Sequence, residues 1–265
     1  MQKRDTWFDE GLQLEAYYFR GVMQDFPNHF HEYYVIGFLE AGQRRLDCRD
    51  EKYMLMQKDI ILFNPGDCHA CKQIGTEPFR YRSLNITQQV MQNAAYETCG
   101  LDILPHFRVP VIRDAGYAAL FYRLHCMVLE NASLLEKQEA FYILLGRLIA
   151  EYAGALPGAV PADSRIETVC DYLETHYGQA ISLEQLSDIA GLNKYSLLRA
   201  FVRTKGITPY RYLEAVRISH ARKMLEQGAS LSETAFLTGF SDQSHFSHFF
   251  MRLIGLTPGQ YRAMF

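Results

Sequence analysis

The sequence predicts two domains: an N-terminal all-β barrel with flanking helices, and an all-α C-terminal domain carrying two helix-turn-helix units. Three observations carry that reading. Short apolar runs broken by turn residues fill positions 8–112. Helical periodicity takes over from Ala115. A stretch that starts at Ser182 recurs from Ser230: Leu183 and Gly191 match Leu231 and Gly239, and after a one-residue insertion Phe201, Gly206, Thr208-Pro209 and Tyr212 match Phe250, Gly255, Thr257-Pro258 and Tyr261.

The bulk properties fit. At 265 residues the chain is long enough for two cores. Its 48% hydrophobic and 22% charged content is that of a globular protein. No apolar run reaches the roughly 18 residues that a membrane span needs. The opening MQKRDTWFDEGLQLE has charges with no apolar segment behind them, unlike a secretory leader. A soluble, cytoplasmic protein with no membrane partner is expected. Its six cysteines, Cys48, Cys68, Cys71, Cys99, Cys126 and Cys170, are expected to be reduced thiols.

Within 8–112 the punctuation is Pro27-Asn28, Ala41-Gly42, Asn64-Pro65-Gly66-Asp67 and Gly75-Thr76. Short strands at that spacing make a sandwich or barrel. From Ala115, Leu120, Leu124 and Val128 recur at four-residue spacing. After a break at Asn131-Ala132-Ser133, Phe141, Leu144, Leu145 and Leu148 recur at three or four, which predicts two antiparallel helices. The small, uncharged stretch from Gly154 to Pro161 reads as a linker. The expected organisation is therefore a first domain over 1–153, a linker over 154–162 and a second domain over 163–265.

Each copy of the repeat is legible physically. Ser182 with Gln185, and Ser230 with Glu233, have capping-box spacing. Gly191 and Gly239 supply the positive φ that ends a helix and permits a sharp turn. A second helix then starts at a good N-cap, Asn193 in the first copy and Ser241 in the second. Thr208-Pro209 opens a longer helix, to about Glu226, with proline at its first position. This is the helix-turn-helix pattern, twice. The net charge of −3 argues against nucleic acid, but its distribution does not. Positions 193–223 hold eight basic residues, Lys194, Arg199, Arg203, Lys205, Arg211, Arg217, Arg222 and Lys223, against Glu214 alone. Such a cluster is an electrostatic footprint for phosphate or, alternatively, a solvated helix face.

The strings ITPYRYLEAVRISHARKML and TGFSDQSHFSHFFMRLIGLTPGQYR resemble the DNA-binding domain of the AraC/XylS family, over about residues 163–265. The resemblance implies seven helices, with two recognition helices entering successive major grooves of double-stranded DNA roughly 34 Å apart. It implies a first recognition helix at about 193–205, presenting Lys194, Tyr195, Leu198 and Arg199, with Arg199 suited to bidentate pairing with guanine. Leu198 stands where relatives often have a polar reader. The second recognition helix, at about 242–253, presents Gln243, Ser244, His245 and His248. Gln243 suits adenine, and His248 stands where relatives often place arginine, weakening the guanine contact there. Arg203, Lys205 and Arg211 are expected at phosphates. Phe201, Phe246, Phe249 and Phe250 are expected in the core.

The N-terminal strings HFHEYYVIGFLEAG and LFNPGDCHAC resemble the cupin-like ligand-binding domain of many AraC-type regulators, over about residues 8–90. Strand alternation would put His29, His31 and Tyr33 on one face, His69, Cys71 and Gln73 on one face, and Tyr81, Ser83 and Asn85 on one face. A barrel interior lined this way is polar, and leaving such groups unpaired costs roughly 1–3 kcal/mol each. Three readings of the histidines stay open: an organic effector such as a carboxylate or amino acid; a zinc, iron or nickel ion; or a structural role. The glutamate follows His31 immediately and points away, so the match to metal-binding cupins is partial, and no cofactor is expected.

The sequence therefore points to a DNA-binding transcription regulator, read as an activator, whose barrel senses a small polar effector. The family implies a homodimer formed through the helices at about 116–152 and contact with RNA polymerase. The competing reading is a metal-dependent cupin enzyme fused to a DNA-binding domain. The chain contains no Ser-His-Asp arrangement, P-loop or GxGxxG string to favour catalysis.

Overall fold

The computed structural model describes residues 2–100, 102–130, 132–154 and 164–265, with the side chains of Lys194 and Tyr195 not described. The expected linker at 154–162 thus falls, apart from Gly154, outside the described residues. The chain divides into two compact units, residues 1–25 with 31–158 and residues 26–30 with 159–265.

The N-terminal part of the chain contains β1 (Lys3–Asp9), β2 (Leu14–Val22), β3 (Phe26–His29), β4 (Tyr34–Ala41), β5 (Arg44–Cys48), β6 (Glu51–Leu55), β7 (Ile60–Phe63), β8 (His69–Gln73) and β9 (Phe79–Ile86). Helix α1 (Gln88–Cys99) follows, then β10 (His106–Phe107), β11 (Val111–Ile112), α2 (Ala115–Leu129), α3 (Leu134–Tyr152) and β12 (Ala153–Gly154). One sheet runs in the order β1-β2-β9-β4-β7-β11 and a second in the order β3-β8-β5-β6. The cupin-like β architecture is as expected.

Register explains how the larger sheet is used. Tyr17 pairs with Ser83 and Ser83 with Gly37, so residues of one parity share a face along all three strands. Leu14, Ala16, Ile36, Leu62, Leu84 and Ile86 lie on the outer face, in one core with Met91 and Ala94 of α1, Phe121 and Leu124 of α2, and Leu144 and Leu148 of α3. The opposite parity places Glu15, Tyr17, Ser83 and Asn85 on the inner face, where all four are buried. The smaller sheet covers that face: His69 of β8 stacks on Phe63 of β7 with ring centroids 3.7 Å apart.

Helix α1 departs from the sequence reading, which took 8–112 as β-rich throughout. Thr87 caps it by accepting from Val90 N–H, and Gly100 closes it at φ 66°. Met91, Ala94 and Ala95, at helical spacing, seat it on the outer face. The break near 131–133 is where expected: Ser133 and Glu136 form a capping box that opens α3.

The second unit contains α4 (Ser164–Thr175), α5 (Leu183–Ala190), α6 (Lys194–Lys205), α7 (Pro209–Glu226), α8 (Leu231–Leu237), α9 (Gln243–Ile254) and α10 (Pro258–Arg262), the seven helices expected. Ile166, Val169, Leu173, Leu186, Leu197, Phe201 and Leu213 form the core of its first half. In the second half Phe246 packs edge-on to Phe250, and Phe250 to Tyr261. The Ser182 capping box is complete, whereas at α8 Ser230 accepts from Glu233 N–H without the reciprocal bond among the described residues. The N-cap of α9 is Asp242, not Ser241 as the sequence suggested; its carboxylate accepts from His245 N–H at 2.7 Å. Gly239, at φ 78°, is required on two counts: a Cβ there would lie 2.9 Å from the carbonyl oxygens of Tyr177 and Gly178.

One buried network ties α2 to the large sheet. Arg82 donates from Nη1 to His125 Nδ1 (3.1 Å), so His125 Nε2–H donates to the Tyr17 carbonyl (2.9 Å). Arg82 also donates to Glu40 (3.0 Å) and stacks on Tyr18 (3.7 Å). Burial pushes the His125 pKa down to about 3, and Arg82 adds to the effect. His125 is thus neutral in the fold, while the unfolded chain takes up a proton below about pH 6.5. Its contribution is fully present above that pH and is lost as the pH falls toward 3. Between pH 6.5 and 5.5 this histidine is expected to remove about 1 kcal/mol of stability. Urea unfolding at the two pH values checks it. In His125→Gln, whose amide can keep both hydrogen bonds, the pH-dependent loss shrinks by that amount.

Candidate effector and nucleic-acid sites

In the smaller sheet Arg44 pairs with Gln73, Leu46 with Cys71, and Cys48 with His69. Partners across an antiparallel pair share a face, so Arg44, Leu46, Cys48, His69, Cys71 and Gln73 face the same way. His69 shows that this is the inner face, because it stacks on inward Phe63. Tyr81, Ser83 and Asn85 line it from the other sheet. Glu15, also inward, accepts from Tyr17 Oη (3.0 Å) and Asn85 Nδ2 (3.1 Å).

The Asn-Pro-Gly-Asp turn is what positions His69. The Asp67 carboxylate accepts from Asn64 N–H (2.8 Å) and Nδ2 (3.0 Å) and pairs with Arg49 (2.6 Å), while Gly66 takes φ 82°. Gly66 N–H donates to the His31 carbonyl (2.8 Å), tying that residue to the same turn. The Asp67 carbonyl then accepts from His69 Nδ1–H (2.9 Å). His29 repeats the arrangement, donating Nδ1–H to the Pro27 carbonyl (2.6 Å). A carbonyl accepts only, so both rings carry their proton on Nδ1 and their lone pair on Nε2. Burial holds His29 neutral, its pKa lowered to about 4.

The segment around these residues is not the continuous strand expected. Strand β3 ends at His29, the chain bends, and β4 starts at Tyr34. Strand alternation therefore does not govern His31 and Tyr33. The two rings stack on each other at 4.8 Å, and His31 lies 5.2 Å from His69. One ring nitrogen from each of His29, His31 and His69 lies within 4.8 Å of the others, and such a set could hold a metal ion. Cys68 and Cys71, neither of them in a disulfide, stand at Cys-x-x-Cys spacing, which the sequence reading missed. Burial pushes the Cys71 thiol up to about 12, far from a reactive thiolate. The sequence reading also missed Glu15, Tyr17 and Arg44. The available signal was a charged residue set in each of two alternating runs, Glu15-Tyr17-Phe19 and Arg44-Leu46-Cys48.

In the helical unit, α6 is capped by Asn193, whose side chain accepts from Ser196 N–H, and closed by Gly206 at φ 72°. Lys194 and Tyr195 stand in its first turn, their side chains outside the described residues. Leu198 is half-buried, and Arg199 and Arg203 are exposed. On α9, Gln243, Ser244 and His248 are exposed, and Gln243 Oε1 accepts from Ser232 Oγ (2.6 Å). His245 is half-buried, edge-on to Phe249 (4.8 Å), with Nδ1 3.2 Å from Ser241 Oγ. Phe201, Phe246, Phe249 and Phe250 are core.

The basic cluster is partly spent inside the fold. Lys205, expected at phosphate, pairs with Glu167 (2.8 Å), and Arg211 pairs with Glu214 (2.8 Å). Arg217 donates to the carbonyls of Tyr177 and Gln179. Arg222 is buried and donates to Tyr261 Oη (3.0 Å). Four of the eight cations therefore serve packing.

A two-sheet ligand-binding domain joined to two helix-turn-helix units defines a class of DNA-binding transcription regulator. The AraC-like ligand binding domain family matches residues 11–145 and the helix-turn-helix domain family residues 186–264, and the chain belongs to the AraC/XylS family of transcriptional regulators. It is 44% identical over 246 residues, 92% of this chain and 90% of the other, to YbfI, an uncharacterized HTH-type transcriptional regulator of Bacillus subtilis (strain 168). It is 25% identical over 249 residues (89% and 87%) to the HTH-type transcriptional activator RhaS of Escherichia fergusonii. Crystal structures of Vibrio cholerae ToxT share the fold. An apo variant superposes with TM-score 0.60 at 11% identity over 95% of this chain and 97% of its own. An unsaturated fatty acid-bound form gives 0.57 at 13% identity, over 100% and 95%. No helix among the described residues is long and apolar enough to cross a membrane.

Arg199→Ala is expected to cost roughly 1–3 kcal/mol on a specific duplex and to relax specificity at one base position. Fluorescence anisotropy with a specific and a scrambled duplex checks this. Equal loss on both would make Arg199 a phosphate contact.

Proposed function

We propose that the chain is a sequence-specific activator of transcription, controlled by a small polar effector bound between the two sheets, and not an enzyme. The observation that carries the reading is the inner face itself. Glu15, Ser83, Asn85 and His69 are buried there at 6% exposure or less, in the domain that the AraC-like ligand binding family matches. Polar groups withdrawn from water need partners; Glu15, Tyr17 and Asn85 partner one another, and a polar lining held in place this way suits a polar effector. The fatty acid in the ToxT structure and the activator role in the name of RhaS support effector binding and activation respectively. The ligand residues are His29, His31, Tyr33, His69 and Cys71. The DNA residues are Lys194, Tyr195, Leu198, Arg199 and Arg203 on α6, and Gln243, Ser244, His245 and His248 on α9.

The working unit in this reading is a homodimer that contacts RNA polymerase. Leu135 and Ile143 of α3, 67% and 53% exposed, support an interface on that helix. The effector acts only through a difference in affinity between two states of the protein. Domain limits of 1–153 and 163–265 complete the assignment.

A second reading is favoured by the imidazole set: a metal ion bound by His29, His31 and His69, with the Nδ1–H donations to Pro27 and Asp67 acting as the outer hydrogen bonds typical of metal-bound histidines. A thermal-shift screen of the full-length protein separates the readings. Amino acids, small carboxylates, sugars and divalent zinc, iron and nickel are tested, with a chelator control. A ligand that binds only the folded state raises the midpoint by mass action. A shift with organic compounds is expected. A shift with metal alone, reversed by chelator, selects the second reading. His31→Ala is expected to abolish the response of DNA binding to the effector while leaving effector-free DNA affinity unchanged, and a retained response would remove His31 from the site.

A further inference from the structure

One cation on the inner face has no ion-pair partner among the described residues. Arg44 is fully buried, at 0% exposure, and no carboxylate forms an ion pair with it among the described residues. Its Nη1 and Nη2 donate to the carbonyls of Gln24 and Val22, each at 2.8 Å, and its guanidinium lies 4.4 Å over the Phe79 ring. The third donor, Nε, is buried with no hydrogen-bond partner among the described residues. Asp25 is near enough to act on Arg44 electrostatically, but its carboxylate accepts from Gln73 N–H at 2.7 Å instead.

The residue opposite Arg44 in the ladder is Gln73. Its Nε2 donates to the carbonyls of Ile74, Gly75 and Glu77, in the turn between β8 and β9. Its Oε1 is buried and likewise has no partner among the described residues. An orphaned cationic donor and an orphaned acceptor thus stand on residues paired across the neighbouring strands β5 and β8. An orphan of this kind costs roughly 1–3 kcal/mol, more where the group is charged. The two deficits have opposite chemistry. Among the described residues Arg44 lacks a directly paired anion and an acceptor for Nε, and Gln73 lacks a donor for Oε1.

We propose that Arg44 and Gln73 form the subsite for the acid end of the effector, which belongs to the α-hydroxy or α-amino carboxylic acids. The carboxylate accepts from Arg44 Nε and neutralises the buried guanidinium. The adjacent hydroxyl or ammonium group donates to Gln73 Oε1. Phe79 supports the guanidinium from behind. This inference rests on the sensor reading above and deepens it by naming the effector class. It is independent of the three histidines.

The test uses the full-length protein and isothermal titration, with L-lactate and L-alanine as probes and L-lactamide and L-alaninamide as counterparts lacking the carboxylate. A wider set of two- to six-carbon hydroxy and amino acids, and neutral sugars, is run by thermal shift. Acids of the class are expected to bind, and the amides to bind roughly 10- to 100-fold more weakly, the worth of a charge-assisted hydrogen bond. Arg44→Gln is expected to lose acid binding to the same extent. Should that variant fail to fold for want of the bonds to Val22 and Gln24, the acid-against-amide comparison on the unmodified protein still decides. Equal binding of acids and amides, or undiminished acid binding by folded Arg44→Gln, overturns the proposal. Binding of sugars alone overturns it and leaves the sensor reading standing. Binding by no probe overturns both.

Discussion

The structure of the first unit depends on one constraint: its large sheet is buried on both faces, and the two faces are chemically different. Alternation along β2, β4 and β9 sends Leu14, Ala16, Ile36, Leu84 and Ile86 outward, and the helices that cover them bury apolar area worth roughly 25 cal/mol per Å². The same alternation sends Glu15, Tyr17, Ser83 and Asn85 inward. The smaller sheet removes those groups from water, so each must be satisfied or be a liability. Glu15, Tyr17 and Asn85 satisfy one another. Stability is thus supplied largely by the outer face, which leaves the inner face at liberty to be polar.

Short local devices then give that inner face its geometry. The Asp67 carboxylate folds its own turn, and the Asp67 carbonyl fixes the tautomer of His69, so one residue sets both position and chemistry. The helical unit uses comparable economy. Caps at Asn193 and Asp242 start α6 and α9, and α7 carries residues into both halves: Leu213 in the first core, and Arg222 and Glu226, which both hydrogen-bond to Tyr261 Oη, in the second.

Legibility followed the strength of the local signal. The repeated cap, glycine and Thr-Pro pattern fixed the helical unit because those residues act within a few positions of themselves. His69, Cys71, Ser83 and Asn85 could be placed on shared faces because they lie inside uninterrupted strands. His31 and Tyr33 could not, since alternation stops where β3 ends, and only the bend that follows places them. Helix α1 was hidden because its sequence, QQVMQNAAYETC, has a weak apolar face. Its evidence was the pair of flanking caps, Thr87 and Gly100. Arg44 was invisible for a different reason. Nothing local distinguishes a buried arginine from an exposed one, and its environment is made by residues 20 to 35 positions away.

The same limitation explains why the charge cluster overstated the phosphate footprint. Counting charges along 193–223 treats every cation as available, but a helix with several neighbours turns part of each basic run inward. Lys205 is drawn to Glu167 of α4, Arg217 to the carbonyls that follow α4, and Arg222 to Tyr261 of α10. Each of those partners lies 38 to 40 residues away in sequence. Among the cluster's described side chains, Arg199 and Arg203 of α6 and Lys223 in the last turn of α7 are exposed. In the proposed function, attraction to a duplex would therefore rest on fewer groups than the sequence count suggests. Correspondingly more of the discrimination would fall, in that function, on the polar residues Gln243, Ser244 and His248, which are exposed on α9 and offer donors and acceptors to base edges.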